Sequence, residues 1–416
     1  MSEEKSCCSL PGCCIEEKAA RKLPAKKINY SVTSQPLKQA IPSKKMQPAE
    51  GGSKANEEKT CCSSSGSCCG AEPLTPYSEK DTWVTGILPT PKGGVPIVST
   101  KTGFKEILGA WKVRWGVGRM NYRINPGIYA VGSPDQSSPV LVSANYKLTF
   151  DALRKELSGL NCWLLILDTK GVNVWCAAGK GTFGTDELIN RISKTGLAQI
   201  ISHKKLILPQ LGAVGVAAHE VAKQTGLSVV YGPVRAKDIK EFLSSGCKAT
   251  ESMRTVRFTA GNRLVLTPLQ LVQAAKPTLM VFGALFILNL FAARPFGLHD
   301  FIIGAGVVVV GAVLTPLLLP FIPGRAFAWK GWLLGAIWTA AYAALSGWFA
   351  TENLLLGTGY LLVLPALSAY IAMDFTGSST YASFSGVTRE MKISLPFIIA
   401  LGAAGTVLVL VKSFMG

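Results

Sequence analysis

Residues 162–192 read CWLLILDTKGVNVWCAAGKGTFGTDELINRI, and this stretch decides the fold of the first half of the chain. Residues 162–168 are an apolar run with the length of a buried strand, and residues 172–175 predict a second, shorter strand. Residues 185–192 predict a helix, because Thr185 suits an N-cap and acidic residues follow it in the first turn. This order of strand, turn and helix predicts an α/β domain.

The sequence beyond this stretch continues the alternation. Residues 205–208 and 227–230 predict strands, a Gly- and Ala-rich segment between them predicts a helix, and residues 236–244 predict another. Such alternation is typical of a mostly parallel, doubly wound, Rossmann-like sheet, to which we assign residues 81–265. Ligands of these sheets bind at the carboxyl ends of the strands, where the turn of residues 172–184 lies.

Residues 266–416 predict an all-α membrane domain of five transmembrane helices. The chain is 48% hydrophobic and only 16% charged, which excludes a purely soluble or disordered protein. Apolar stretches that approach the ~20 residues needed to cross a bilayer lie at 277–293, 301–323, 329–350, 354–373 and 393–411. The spans hold few ionisable groups, which favours an anchor over an ion-coupled transporter.

The loops between the spans predict an orientation. With the α/β domain inside, eight basic residues flank the spans on the inner side and two on the outer side. The positive-inside rule therefore places the α/β domain in the cytoplasm and the C-terminus outside. The opening residues, MSEEKSCCSL, lack the pattern of a secretory signal, so we expect a multi-pass protein of the inner (cytoplasmic) membrane.

Residues 1–80 predict a disordered tail, because Lys, Ser, Pro, Gly and Cys dominate and no apolar periodicity persists. Eight of the eleven cysteines form adjacent pairs there, and paired thiols suit soft ions such as Hg(II), arsenite or Cu(I). Delivery of Hg(II), metal or arsenic resistance and a redox role all stay open as functions of this tail. The four pairs are Cys7 and Cys8, Cys13 and Cys14, Cys61 and Cys62, and Cys68 and Cys69.

The chain is basic, with 43 Lys and Arg against 25 Asp and Glu and a net charge of +18. Residues 81–276 alone carry 25 basic and 12 acidic residues. A basic domain attracts acidic proteins, anionic lipid or nucleic acid. Because no nucleic-acid-binding motif accompanies the charge, we expect a protein or lipid partner and no nucleic acid.

Residues 179–184 spell G-x-G-x-x-G between a predicted strand and a predicted helix, so a dinucleotide site must be weighed. The acidic residue that such a site needs ~20 residues further on is absent, because residues 200–205 are basic instead. A membrane sensor or transporter whose α/β domain binds a nucleotide is therefore an alternative function.

Residues 173–180 (NVWCAAGK) resemble the signature of the HgcA family, the membrane-anchored corrinoid proteins of microbial mercury methylation. Shorter segments of the chain resemble the same family: NPGIY at 125–129, VSANY at 142–146, LPQLG at 208–212, YGPVR at 231–235 and DFTG at 374–377. The resemblance covers about residues 80–416, spans included. The soluble part also resembles the large corrinoid-binding subunit of the acetyl-CoA synthase system, which is not membrane-anchored.

The resemblance implies a cobalamin-type corrinoid bound base-off, with the Cys176 thiolate as lower axial cobalt ligand and the catalytic residue. It implies that the methyl group of a methyl-Co(III) corrinoid passes to Hg(II) and forms methylmercury. It also implies a small HgcB-like ferredoxin with iron–sulfur clusters as electron donor, and a folate-linked methyl donor or its methyltransferase. The residues it assigns to the cofactor are Asn173, Val174, Trp175, Cys176, Ala177, Ala178, Gly179, Lys180 and Gly181.

Other interpretations stay open. A corrinoid methyl carrier of one-carbon (acetyl-CoA pathway) metabolism needs no mercury, and a thiol metal buffer would need the tail alone. By residue type, Cys176 is a small buried core residue, as free cysteines often are. Core or incidental roles are expected for Cys162 and Cys247, and core or surface roles for the three histidines.

Overall fold

The computed structural model describes residues 74–78, 81–293, 297–347, 353–379 and 384–415. The predicted disorder of residues 1–73 lies outside the described residues, and so does the predicted binding of soft metal ions by the paired cysteines. The cysteines concerned are Cys7, Cys8, Cys13, Cys14, Cys61, Cys62, Cys68 and Cys69. Metal binding by these eight thiols therefore stays a prediction.

The predicted boundary between the tail and the α/β domain at residue 80 is too late in the chain. Thr75, which the sequence assigns to the tail, is fully buried in the folded domain. Its hydroxyl donates to the carbonyl oxygen of Ile128 and accepts from the Ile128 N–H, both at 2.9 Å. The folded domain therefore includes Thr75.

A seven-stranded mixed sheet forms the centre of the first domain, in the order β1-β2-β3-β5-β4-β6-β7. The strands are β1 (Val84–Thr90), β2 (Gly93–Val98), β3 (Gly127–Val131), β4 (Val140–Ala144), β5 (Cys162–Leu167), β6 (Lys205–Leu208) and β7 (Ser228–Tyr231). Strands β4, β5, β6 and β7 are mutually parallel, β2 runs parallel to β3, and the pairs β1 with β2 and β3 with β5 are antiparallel. The sheet is thus mixed, with a parallel half that the sequence predicts.

Helices cover both faces of the sheet, as a doubly wound fold requires. The helices of this domain are α1 (Phe104–Arg114), α2 (Lys147–Glu156), α3 (Val174–Lys180), α4 (Thr185–Thr195), α5 (Ala218–Thr225), α6 (Ile239–Ser244) and α7 (Glu251–Arg254). Alternate residues of β5 enter different cores: Leu165 lies in the same core as Leu188 of α4, and Leu164 in the same core as Phe150 of α2. Burial on both faces explains why β5 is apolar throughout.

The second short strand predicted at residues 172–175 is wrong. Val174 instead begins α3, and Asn173 takes the N-cap position, with its side-chain oxygen accepting the N–H of Cys176 at 2.9 Å. An N-cap bond stabilises the first helical turn and here overrides the strand preference of Val172 and Val174.

The helix predicted from Thr185 is present, but Thr185 is its first helical residue and Gly184 occupies the N-cap. The Thr185 hydroxyl accepts the N–H of Ala217 at 2.9 Å instead of capping its own helix. It therefore ties α4 to the segment that precedes α5.

The described residues after 259 are mainly helical: α8 (Ala260–Leu264), α9 (Thr267–Asn289), α10 (Leu298–Val309), α11 (Thr315–Leu318), α12 (Phe327–Leu345), α13 (Leu354–Asp374) and α14 (Phe384–Met415). Within the part of the chain that the structure describes, four helical stretches are long and apolar enough to cross a membrane, namely Ala260–Leu288, Leu298–Leu318, Leu354–Gly377 and Ser385–Met415. The third predicted span corresponds to α12, which is not among the four. Three tryptophans and Lys330 lower its hydropathy. That the chain crosses the membrane five times therefore stays a prediction.

Helix α12 nevertheless packs closely against α13. A Cβ atom added to Gly335 would lie 2.6 Å from the Cβ atom of Ser368, so the two helices touch where α12 has no side chain. Small residues at such contacts are typical of helix packing in membranes. Together these helices form a bundle with buried positions in α10, α12 and α13.

Candidate functional site

A cavity of about 500 Å³ opens at the carboxyl ends of β4 and β6, on the edge where the sequence predicts the ligand. Helix α2 and the start of α3 form its walls. We call it the carboxyl-end cavity. Its lining includes Arg114, Ser143, Tyr146, Thr149, Asn173, Val174, Trp175, Leu208, Pro209, Leu211 and Pro233.

Cys176 lies in the first turn of α3. The three residues that precede it, Asn173, Val174 and Trp175, line the cavity. The side chain of Cys176 is half-buried, and its N–H is held by Asn173. Trp175 stands at the rim with 36% of its surface exposed. The structure thus brings Asn173, Val174, Trp175 and Cys176 to one place beside the cavity.

A buried amide fixes the loop that leads into α3. Asn145, which is 1% exposed, follows β4 and accepts three hydrogen bonds through its side-chain oxygen. The donors are the N–H and hydroxyl of Thr169, at 3.1 and 2.9 Å, and the N–H of Gly171, at 3.0 Å. Because β4 and β5 are neighbours, one side chain connects both strand ends and determines where α3 starts. Sequence reasoning missed this role of Asn145.

The remaining predicted cofactor residues divide into two groups. Ala177 and Ala178 are buried in the core, and a Cβ atom on Gly215 would come within 3.0 Å of the Ala178 Cα atom. Gly179, Lys180 and Gly181 are the last residues at the end of α3, where Lys180 and Gly181 are exposed. Gly181 has a φ of +81°, which ends the helix in a conformation that favours glycine.

This placement contradicts the dinucleotide interpretation of G-x-G-x-x-G. In that fingerprint the first glycine follows a strand directly, so that the backbone can turn against a pyrophosphate. Here Gly179 lies inside α3 and Gly181 ends it, so a helix separates the motif from β5. The motif serves to stop α3 and to start α4.

Two buried polar atoms in the wall of the carboxyl-end cavity lack a hydrogen-bond partner among the described residues: the hydroxyl of Tyr146 and Nε of Arg114. Burial raises the pKa of Tyr146, so its hydroxyl stays protonated and able to donate. An unpaired buried polar atom costs about 1–3 kcal/mol, which a ligand with hydrogen-bond acceptors would recover. No sequence pattern points to Arg114.

The other described cysteines differ from Cys176. Cys162 is fully buried in β5, and burial raises the pKa of its thiol to about 12. Cys247 is half-buried beside the core on the α2 side of the sheet, with a positive φ of 65°. None of the three described cysteines lines the carboxyl-end cavity, but Cys176 directly follows three residues that do. The predicted core roles of Cys162 and Cys247 are consistent with these positions.

The histidines have structural surroundings. His203 Nε2 lies 2.9 Å from the carbonyl oxygen of Ser138, and its Nδ1 accepts the N–H of Lys205. His219 is exposed beside Glu220, and His299 lies 2.9 Å from the hydroxyl of Tyr342. Within the described ranges, no three His, Cys, Asp or Glu side chains cluster to hold a metal ion. The predicted core or surface roles of the histidines are consistent with these positions.

Residues 117–243 match the family described as CO dehydrogenase/acetyl-CoA synthase delta subunit. Similar curated proteins are gamma subunits of acetyl-CoA decarbonylase/synthase complexes. The subunit of Methanopyrus kandleri is 32% identical over 122 residues, 29% of this chain and 26% of that protein. The Methanocaldococcus jannaschii subunit is 33% identical over 122 residues, 29% of this chain and 25% of that protein. The Archaeoglobus fulgidus subunit is 30% identical over 127 residues, 30% of this chain and 27% of that protein.

The chain thus spans about a quarter of the length of the curated relatives it matches. The matched segment contains the parallel half of the sheet, α3 and most of the walls of the carboxyl-end cavity. The predicted resemblance to a subunit of the acetyl-CoA synthase system is confirmed for this segment, whereas the HgcA family is not shown. Residues 117–243 form an α/β domain similar to subunits of acetyl-CoA decarbonylase/synthase complexes, and a helical region with apolar helices follows it.

Proposed function

We propose that the chain is a membrane-anchored, corrinoid-dependent methyltransferase that binds a cobalamin-type corrinoid at the carboxyl-end cavity. One observation carries the proposal: a capped, half-buried Cys176 stands beside a cavity whose wall holds two unpartnered polar atoms. The similarity of residues 117–243 to subunits of acetyl-CoA decarbonylase/synthase complexes supports methyl-group chemistry in the same segment.

The residues present fit such a cofactor. A corrinoid is a large, flat macrocycle with amide groups around its edge. Tyr146 and Arg114 offer unsatisfied donors for such amides, and the cavity wall is otherwise mostly apolar. Gly179 and Gly181, at the end of α3, have open space where side chains would stand, so a flat ligand can approach the backbone there. We therefore propose that residues 173–176 and 179–181 contact the cofactor, while Ala177 and Ala178 support this segment from the core.

In the proposed mechanism the protein supplies a ligand of fixed position. Asn145 holds the loop before α3, Asn173 holds its first turn, and Cys176 then presents its sulfur from a rigid element. Lys180 adds an exposed positive charge nearby. Cys176 would hold the cobalt of a base-off corrinoid through its thiolate, and the bound cofactor would supply a transferable methyl group.

The ligand type favours Hg(II) as the methyl acceptor. A thiolate is a soft, strongly donating ligand. Such a sulfur at position 176 would favour transfer of the cofactor's methyl group with its bonding electron pair, and an electrophile such as Hg(II) would accept both. The four cysteine pairs between residues 7 and 69 would then gather the substrate by thiol exchange.

A second function is favoured more directly by the comparisons. Proteins named as subunits of acetyl-CoA decarbonylase/synthase complexes match the segment that holds the cavity, and none of these names mentions mercury. A corrinoid methyl carrier in one-carbon metabolism would use the same cavity and pass its methyl group to a partner subunit. Cys176 would then be dispensable for transfer.

We propose the same methyl donor, electron donor and location for both functions, which differ in the methyl acceptor. A folate-linked donor, or its methyltransferase, restores the methyl group, and a small iron–sulfur ferredoxin of the HgcB kind provides low-potential electrons. We place the α/β domain on the cytoplasmic side of the inner membrane. Five spans, with α12 as the third, put the C-terminus outside.

The test compares methyl acceptors with full-length protein under anaerobic conditions. The protein is reconstituted with corrinoid and supplied with a labelled folate methyl donor, its methyltransferase and a low-potential reductant. Wild type should form methylmercury from Hg(II), Cys176→Ala should lose at least about tenfold, and Cys247→Ser, the matched thiol control, should keep full activity. Equal methyl transfer to a partner thiol by wild type and Cys176→Ala, without methylmercury, would replace the first function by the second.

A further inference from the structure

Helix α1 turns its apolar side away from the protein. Phe104, Ile107, Leu108, Trp111 and Trp115 follow the i, i+3, i+4, i+7, i+11 spacing of one helix face. Their side chains are all exposed, Phe104 to 77% and Trp111 to 60%. We call these five residues the α1 stripe. A continuous apolar face of this kind marks an interaction surface.

The opposite side of α1 is attached to the domain. Val113 is 2% exposed, and Glu106 accepts the hydroxyl of Thr82 at 3.4 Å and lies 4.0 Å from buried Arg154. These contacts fix the rotation of the helix, so the exposure of the α1 stripe is a property of the fold. The segment that follows continues the apolar surface, with Val117 and Met120 exposed to 61% and 72%.

The end of α1 lies against the first membrane helix. A Cβ atom on Gly116 would be 3.5 Å from Leu269 Cδ1 and 3.8 Å from Val272 Cγ1, both in the first turns of α9. The stretch Ala260–Leu288 that contains these residues is long and apolar enough to cross a bilayer. The α1 stripe therefore lies beside the place where the chain enters the membrane.

The charge around the α1 stripe suits an anionic surface. Besides Arg114, which lines the cavity, residues 101–123 carry five exposed or half-exposed basic residues, and the one acidic residue of this segment, Glu106, lies 4.0 Å from buried Arg154. Exposed Trp and Phe with flanking Lys and Arg are typical of helices that lie in the bilayer interface, where basic residues are attracted to anionic lipid. The basic residues are Lys101, Lys105, Lys112, Arg119 and Arg123.

We propose that α1 lies in the headgroup region of the membrane and seats the α/β domain on anionic lipid. The inference rests on the membrane placement of α9 proposed above. Because Arg114 of α1 lines the carboxyl-end cavity, this contact would hold the cavity close to the bilayer surface. A second protein or a second copy of the chain on the same stripe is the competing occupant.

Photo-crosslinking identifies the occupant. Full-length protein carries a benzophenone amino acid in place of Leu108, a residue of the α1 stripe that is 42% exposed. It is placed in nanodiscs of phosphatidylcholine with or without phosphatidylglycerol, illuminated and analysed by mass spectrometry. A matched variant carries the probe at Lys223, an exposed position on α5.

We expect the yield of lipid adducts at position 108 to be several times the yield at position 223. The yield at 108 should fall severalfold without phosphatidylglycerol and in the double variant Lys105→Glu and Lys112→Glu. Equal lipid yields at both positions, or adducts at 108 only to protein, would overturn the inference. If the protein stays in the nanodiscs but gives no lipid adduct at position 108, only the proposed role of α1 is refuted. If the protein does not stay in the nanodiscs, the proposed membrane anchor is refuted.

Discussion

Replacing Asn173 by alanine tests how the protein presents Cys176. The substitution removes one hydrogen bond, from the Cys176 N–H to the Asn173 side chain at 2.9 Å. Loss of an N-cap costs about 1 kcal/mol, which raises the population of locally opened helix about fivefold. Helix α3 has only seven residues, so the cap is a large part of what orders it, while buried Ala177 and Ala178 keep it attached to the core.

Hydrogen–deuterium exchange of the peptide that covers residues 174–180 measures this opening. Asn173→Ala should exchange there about fivefold faster than wild type. Asn173→Asp keeps an acceptor at the same position and should exchange at nearly the wild-type rate. Peptides from α4 and β5 report whether the effect is local. Unchanged exchange of α3 in the alanine variant, or equal acceleration in both variants, would refute the role of Asn173 in ordering the turn that carries Cys176.

Three further predictions concern the cavity, the core and the bundle. Tyr146→Phe removes a buried hydroxyl that has no partner among the described residues, so thermal unfolding should show equal stability or a gain of up to about 1 kcal/mol. Titration with corrinoid should show severalfold weaker binding to this variant. Unchanged binding would show that Tyr146 does not contact the cofactor. The pKa of Cys162 is raised to about 12, so only about one thiol in ten thousand should be ionised at pH 8. Cys162 should therefore resist alkylation until the protein unfolds, and labelling should become faster as the pH rises. Rapid labelling of the folded protein, measured by mass spectrometry, would contradict the burial of Cys162. Gly335→Leu forces a side chain against Ser368 and should cost about 1–3 kcal/mol of stability, measured as a lower melting temperature in detergent. Gly283→Leu, at an open position on α9, should leave the melting temperature unchanged. Equal melting temperatures of the two variants would contradict the close packing of α12 on α13.

Three of the four strands in the parallel half of the sheet, β5, β6 and β7, could be predicted from sequence because their signals are local. Residues 162–168 and 205–208 are short apolar runs, and β5 and β6 form there. Strands β1, β2, β3 and β4 were not predicted, and in β1 and β2 the Gly and Pro residues weaken the strand signal. The error at residues 172–175 has a different cause, since the β-branched valines favour a strand while the cap of Asn173 acts across a turn.

The candidate site was only partly predictable for a related reason. Cys176 and its neighbours are adjacent in sequence, so a short pattern identifies them. Arg114, Asn145 and Tyr146 reach the same place from α1 and from the end of β4, through contacts between residues far apart in the chain. Their roles depend on burial and on missing partners, which no local pattern records.

Cobalt content and the visible spectrum of the purified full-length protein test the central proposal most directly. The protein is reconstituted with corrinoid under anaerobic conditions, and wild type is compared with Cys176→Ala and with Cys247→Ser. We predict one cobalt per chain in wild type and in Cys247→Ser, with a thiolate-shifted spectrum that Cys176→Ala loses. Wild-type protein without bound cobalt, or a spectrum that is the same in wild type and Cys176→Ala, would contradict a corrinoid held through Cys176.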